Sequence, residues 1–252
     1  MLKLYHWEPN ANSGKPMLAL MEKGVAFESH YLDLLNFDQH KPDYLAINPL
    51  GTIPALVHDG KVFTESTAIM EYVDAAFEGP SLTPVDPIER WRMRWWMKWF
   101  DQYLAKSASM LGWSVFVGPS VRARDPEELK AAIERIPMKE RRVAWSKAIY
   151  NTFSKEELAE STRRLRDGIG KLEAALGARA WIAGATYSLG DANGFNLAYA
   201  LPLAQPDVCN DEKTPAIMEW LRKIYERPAT RKCWALARVP RMGERVKFLE
   251  RT

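Results

Sequence analysis

Thr52-Ile53-Pro54-Ala55-Leu56-Val57-His58-Asp59-Gly60-Lys61-Val62-Phe63-Thr64-Glu65-Ser66 is the stretch on which the fold turns. Thr52 to His58 reads as an apolar strand, and Asp59-Gly60 is a strong two-residue hairpin signal. Lys61 to Thr64 pairs back. Ser66 then opens a helix through Phe77 with Ile69, Met70 and Val73 on its apolar face. Pro54 is out of place in such a strand because it brings no ladder donor. It implies an edge, a bulge or a cis peptide, the last seen in only about 5–6% of X–Pro bonds.

Working back toward the N-terminus, Leu2, Leu4 and His6 alternate with Lys3 and Tyr5 in a short strand ending at Trp7–Pro9. Ser13 is an N-cap candidate for a helix that carries Pro16 in its first turn and turns Met17, Leu18, Leu20 and Met21 inward. Gly24 is a natural stop for it. Val25 to Leu32 reads as a second strand, parallel to the first if the helix is a crossover. A polar stretch with Gln39, His40 and Lys41 leads into Asn48-Pro49-Leu50-Gly51. The order βαβ, loop, ββα describes a small α/β unit with a mixed sheet.

Working forward, Pro80, Pro84 and Pro87 mark the best boundary in the chain. The expected organisation is an α/β domain over residues 1–79, a linker over 80–87 and an all-helical domain over 88–252. Trp91, Trp95 and Trp99 recur at a spacing of four on one helical face, expected in the core or at an interface, with Trp96, Phe100 and Tyr103 on an adjoining stripe. Residues 118–151, broken by Pro119, Pro126 and Pro137, read as an irregular insertion between helices. Ser154-Lys-Glu-Glu157 and Ser188-Leu-Gly-Asp191 are capping signals for two later helices. Thr214-Pro215 starts another.

The chain has 252 residues, 47% of them apolar and 27% charged, which excludes a disordered chain, a collagen or a disulfide scaffold. Its net charge of +3, from 35 basic and 32 acidic residues, is too balanced and too spread for a nucleic-acid partner. The first residues lack the apolar core of a signal peptide, and no stretch approaches the roughly 20 uncharged residues of a membrane span. A cytoplasmic protein with no membrane partner is expected. The two cysteines, Cys209 and Cys233, fit a reducing compartment and cannot form a Cys-only zinc site. No metal is expected, and chemistry in the first two hundred residues must run without a protein thiol.

Three constellations carry candidate chemistry, each with a plainer alternative. Asn12-Ser13 lies where the first strand enters the first helix, a place where α/β sheets gather ligands and where a helix start favours an anion; Ser13 either caps that helix or holds a thiolate or carboxylate. No histidine or carboxylate is placed to make Ser13 an acyl-transfer nucleophile. Pro54 either marks a sheet irregularity or exposes neighbouring backbone groups. Glu65-Ser66 either begins a helix as a cap or offers a hydroxyl and N–H to a carboxylate, with Glu65 for an ammonium.

Together, a strand-to-helix Ser, a strand Pro, a Glu-Ser helix start and the Ser188–Asp191 capping box resemble the glutathione S-transferase superfamily. The chain is most similar to its bacterial glutathione-dependent β-aryl etherases, which cleave lignin-derived dimers. The segments that carry this are Ala11-Asn-Ser13, Phe37-Asp-Gln-His40, Ile47-Asn-Pro49, Asp59-Gly-Lys-Val62 and Thr64-Glu-Ser-Thr67. In the second half they are Lys98-Trp99-Phe-Asp-Gln-Tyr103, Leu111-Gly-Trp113, Glu212-Lys-Thr-Pro215, Trp220-Leu and Glu226-Arg-Pro228.

The resemblance implies a thioredoxin-like domain with a mixed four-stranded sheet and a helical bundle that binds substrate. It implies glutathione as co-substrate and a homodimer. Glu65 and Ser66 would take the γ-glutamyl end, and the backbone of Ile53, beside a cis Pro54, would pair with the cysteinyl amide. Gln39 and His40, with Lys41 a weaker candidate, would hold the glycyl carboxylate. Asp101 would reach the γ-glutamyl amine across the dimer interface. Ser13 and Asn12 would stabilise the thiolate, and Trp7, Met110, Trp113 and Phe116 would wall the aromatic substrate. The implied reaction is thiolate displacement of a phenol from an α-keto β-aryl ether. A transferase or lyase acting on other aromatic electrophiles, and a non-catalytic ligand carrier, stand as alternatives. Thiol–disulfide exchange does not, because no cysteine stands near Ser13.

Overall fold

The computed structural model describes residues 1–240 and 243–250. Its N-terminal part runs β1 (Leu2–His6), α1 (Gly14–Glu22), β2 (Glu28–Tyr31), two 3-10 turns at Leu34–Asn36 and Asp38–His40, and α2 (Pro42–Leu45). It continues as β3 (Ala55–His58), β4 (Lys61–Phe63) and α3 (Ser66–Ala76). The sheet order is β2-β1-β3-β4, with β1 and β2 parallel and the other pairs antiparallel. The hairpin turns at Asp59 and Gly60, both at positive φ, as its sequence requires.

β2 is shorter than the strand expected over residues 25–32. Gly24 sits at φ +70°, and the Val25 N–H donates to the Leu20 carbonyl at 2.9 Å. Val25 thus closes the end of α1 instead of opening a strand.

One apolar core joins the sheet to the helices. Leu4, Leu56, Met17, Leu20, Ile69 and Val73 pack with Met93, Met97, Leu189 and Cys233. The last four belong to α4 (Pro87–Trp99), α10 (Leu189–Ala198) and α13 (Pro228–Trp234). A second cluster, built on Trp96, Trp99, Phe100, Phe195 and Trp220, fills the helical part. The expected single tryptophan face divides. Trp99 is buried while Trp91 is 62% and Trp95 36% exposed, because a spacing of four advances about 40° per step around a helix.

After α4 the helix continues through a π turn (Phe100–Leu104), α5 (Ala105–Gly112), a second π turn (Trp113–Val117) and α6 (Gly118–Arg122). The segment 118–151 is not irregular, contrary to expectation: it folds as α6, α7 (Pro126–Glu134) and α8 (Lys139–Tyr150). Pro126 stands in the first turn of α7, where a missing N–H costs nothing, and Pro119 follows directly on the second π turn. Val121, Leu129, Ile133, Ile136, Trp145 and Ile149 form their own core, which closes on Phe37.

The chain ends through α9 (Lys155–Gly177), α10, α11 (Leu201–Ala204), α12 (Pro215–Tyr225), α13 and a 3-10 segment (Gly243–Leu249). Both capping boxes form, at Ser154 with Glu157 and at Ser188 with Asp191. The second is a hub. Buried Asp191 accepts from the Ser188 N–H and hydroxyl, the Ile182 N–H at 2.8 Å and the Trp220 indole N–H at 2.8 Å. Burial pushes its carboxyl pKa upward, and those donors oppose the shift. Asp191→Ala strands several buried donors at once, so urea denaturation is expected to show a loss of about 3–5 kcal/mol; a loss below about 1 kcal/mol contradicts the hub.

Candidate functional site

The end of β1 turns directly back into α1. The Trp7 N–H donates to Ser13 Oγ at 2.9 Å across that turn. Ser13, 1% exposed, stands at the N-cap position but makes no side-chain capping bond. Its hydroxyl oxygen is therefore fixed by the strand while its proton remains available to donate. Asn12, just before it, is exposed. α10 holds the turn from beneath: the Asn196 amide donates to the Pro9 carbonyl at 2.7 Å and to the Ala11 carbonyl. Gly14 is required by this approach, since a Cβ there would lie 1.8 Å from the Pro9 oxygen.

The β1–β3 register pairs Tyr5 with Ala55, and two residues further along it sets Ile53 beside Trp7. The Ile53–Pro54 peptide is cis. The carbonyl of Thr52 is held by the Tyr44 hydroxyl at 2.6 Å and the Asn48 amide at 2.8 Å. The Trp7 indole N–H is buried with no hydrogen-bond partner.

Glu65 links β4 to α3 at φ +65° and is exposed. No side chain caps α3, so the helix that starts at Ser66 presents unsatisfied N–H groups and its positive end to an incoming anion. Thr67 donates instead to Asp101 at 2.5 Å, and Lys15 Nζ meets the other oxygen of Asp101 at 2.5 Å. Asn193 joins the group through Thr67 at 3.1 Å. Both oxygens of Asp101 are thus engaged within its own chain, whereas the resemblance places it across a dimer interface. Lys15 is buried, which lowers its pKa against the opposing pull of Asp101. Lys15 and Asn193 escaped the sequence reading because neither matters until α1, α3 and α10 meet.

Gln39 and His40 are brought together on the second 3-10 turn, 3% and 1% exposed. Gln39 Oε1 and His40 Nδ1 are buried without partners. Burial, then the positive charges of Arg141 and Arg135, push the His40 pKa down to about 4. Lys41 is exposed and pairs with Asp38 at 2.6 Å. Arg141, on α8, was hidden by the reading of 118–151 as irregular; Trp145, one turn later on that helix, was the apolar residue that could have revealed its face.

Of the four expected wall residues, Trp113 lies on the second π turn with its ring 5.2 Å from that of Trp145. Trp145 in turn stacks 4.8 Å from Phe37. Met110 receives the Ser161 hydroxyl at 3.2 Å, and Arg245 lies 5.2 Å above the Phe116 ring. Trp7 is buried at the β1 end. None of the four lines either of two small cavities, one of about 270 Å³ beside Lys41 and Arg135 and one of about 440 Å³ beside Trp234 and Arg238. Glu8, another residue missed in the sequence, is fully buried and accepts from Tyr31 Oη at 2.7 Å and from the Arg238 and Val239 N–H groups. It ties the C-terminal segment to the end of β1. Among the described residues no cluster of His, Cys, Asp or Glu has the arrangement of a metal site.

Family models match twice: the glutathione S-transferase N-terminal domain over residues 1–75 and the C-terminal domain over residues 104–228. Protein LigF of Sphingobium sp. strain SYK-6 is 40% identical over 236 residues, covering 90% of this chain and 91% of that protein. The crystal structure of the beta-etherase LigF from the same strain superposes with a TM-score of 0.88 at 38% identity, over 93% of this chain and 98% of that one. Glutathione S-transferase 3 of Zea mays is 28% identical, over 95% of this chain and 96% of the relative.

The depressed His40 pKa has a signed consequence. The folded ring binds its proton more weakly than the unfolded one, whose pKa is about 6.5, so the His40 contribution to stability is complete above pH 6.5 and is lost as pH falls toward 4. NMR is expected to show the His40 ring unchanged from pH 8 down to about 5. An inflection near 6.5 contradicts its burial.

Proposed function

The chain belongs to the glutathione S-transferase family, and from that premise we propose that it cleaves β-aryl ethers of lignin-derived aromatic ketones with glutathione. The observation that carries the reading is its likeness, across nearly the whole of both chains, to the Sphingobium beta-etherase. The geometry around Ser13 supplies the chemistry.

A free thiol has a pKa of about 8.5, so near neutrality only a few per cent is thiolate. At this site the Ser13 hydroxyl, fixed in place by the Trp7 N–H, donates to the glutathione sulfur, with the Asn12 amide beside it. The N-terminal end of the α1 dipole adds positive potential. Each favours the anion and lowers the thiol pKa. The proton leaves to solvent before attack. The sulfur lone pair forms a C–S bond at the β-carbon, and the C–O bond pair departs with the phenolate, which takes a proton from water. The adjacent ketone activates that carbon. A phenol, with a pKa near 10, is a moderate leaving group. The protein's task is to supply thiolate, alignment and a dry aromatic environment.

In the same reading, Glu65 takes the γ-glutamyl ammonium and Ser66 its carboxylate at the open start of α3. The Ile53 backbone pairs with the cysteinyl amide, and Gln39 and His40 face the glycyl carboxylate. Trp7, Met110, Trp113 and Phe116 contact the aromatic rings. Residues 1–79 form the glutathione unit, 80–87 the linker and 88–252 the substrate unit. Neither cysteine competes for the role of nucleophile: both are buried, and burial pushes the Cys233 thiol up to about 12. The cytoplasm, with its reduced glutathione, is the proposed location. A second reading, transfer of glutathione to other aromatic electrophiles, uses the same thiolate and differs in the wall.

Incubation with glutathione and an α-keto β-guaiacyl ether is expected to release guaiacol and leave a glutathione thioether. Turnover of a chloro-dinitro arene without guaiacol release would transfer the assignment to the second reading. Ser13→Ala combined with Asn12→Ala is expected to lower kcat by about 10²-fold while glutathione is still bound. Unchanged kcat removes both from thiol activation.

A homodimer is part of the proposal, supported by Ile88 and Trp91, which leave an exposed apolar face on α4 at 57% and 62% exposure. Sedimentation is expected to give about twice the chain mass, and Ile88→Ser with Trp91→Ser to shift it toward the monomer. A monomeric wild type contradicts the dimer.

A further inference from the structure

α8 reaches from the helical part onto the turn that holds Gln39 and His40. Trp145 makes the contact, its ring 4.8 Å from Phe37 and 6.5 Å from His40. Arg141 stands four residues before Trp145 on the same helix, hence on the same face and one turn along it. Its guanidinium is largely withdrawn from water, and among the described residues it has no hydrogen-bonded partner. Its charge is felt by His40 on one side and by Glu65 on the other. A guanidinium removed from water normally has a carboxylate or carbonyls around it, because leaving it bare costs desolvation energy with no return. Arg222, Arg227 and Arg94 in this chain each meet a carboxylate at 2.6–3.1 Å.

The groups around Arg141 suit an anion as well. His40 Nδ1, a donor in the tautomer that carries its proton there, is buried and unpartnered, and Arg135 adds a second positive charge within range of His40. Glu65, the one carboxylate whose field Arg141 senses, is assigned above to the γ-glutamyl ammonium. Of the two glutathione carboxylates, the γ-glutamyl one is met by the open start of α3. The glycyl one remains.

We propose that Arg141 binds the glycyl carboxylate of glutathione, so that α8 closes the peptide site from the helical part. The inference rests on the glutathione reading given above. The planar fork of the guanidinium suits a carboxylate bidentately, whereas the surrounding amide and imidazole donate singly. Arg141 touches the co-substrate far from its sulfur, so its effect falls on binding and not on the bond-breaking step.

The test compares glutathione with its glycyl monoethyl ester, which keeps the thiol and the γ-glutamyl end and removes only the charge in question. Dissociation constants are measured by calorimetry for the wild type, Arg141→Gln and Arg141→Lys. The wild type is expected to bind the ester about 10- to 50-fold more weakly than glutathione. Arg141→Gln is expected to bind the two alike, with its glutathione affinity reduced to that of the ester, and Arg141→Lys to keep part of the preference. kcat at saturating glutathione is expected to stay within about threefold. If Arg141→Gln weakens both ligands equally, or keeps the wild-type preference, the inference is overturned and the glutathione reading stands. A wild type that binds neither ligand overturns the glutathione reading itself. Should Arg141→Gln fail to fold, the Arg141→Lys preference decides: a value equal to the wild type contradicts a bidentate carboxylate contact.

Discussion

The hydrogen bond from the Trp7 N–H to Ser13 Oγ draws the side chain that would otherwise cap α1 into the end of the sheet. The first N–H groups of α1 are met within the backbone instead, Gly14 by the Ala11 carbonyl at 3.0 Å and Lys15 by the Asn12 carbonyl at 3.3 Å. The turn that carries this arrangement is not self-supporting. Asn196 grips its carbonyls from α10, and Gly14 lets the two backbones approach without a Cβ between them. The first helix and α10 are therefore committed to one small feature.

Other helix starts are met by side chains. α4, α7, α9 and α10 begin at Asp86, Asp125, Ser154 and Ser188, whose side chains satisfy the first free N–H groups. α3, like α1, begins without such a side chain, at a glutamate held at positive φ, a backbone state that costs of order 1–3 kcal/mol. Stability is concentrated at places such as Asp191, where one carboxylate gathers donors from two elements and an indole. The two π turns contain Asp101 and Trp113; such turns are frequent at functional sites.

The sheet unit was legible because its signals are local. The Asp59-Gly60 hairpin, Gly24 after α1 and the misplaced Pro54 each depend on a few adjacent residues. The two capping boxes were legible for the same reason. What escaped depends on tertiary contact. Whether Ser13 caps its helix or accepts from Trp7 is decided by the fold of a turn whose clamp lies 183 residues away at Asn196. The segment 118–151 departs from its expected irregularity because its prolines look like breakers, whereas Pro126 starts α7 and Pro137 precedes α8. That error concealed α8, and with it Arg141. Glu8, Lys15 and Asn193 are polar residues whose burial no pattern in the chain announces.

The proposed chemistry requires glutathione to be held as a thiolate at the Trp7–Ser13 turn. The most direct measurement is an ultraviolet titration of thiolate absorbance for glutathione bound to the wild type. The bound thiol pKa is expected to lie clearly below the free value of about 8.5 and to move back up when Ser13 is replaced by Ala. A bound pKa at or above the free value would contradict it.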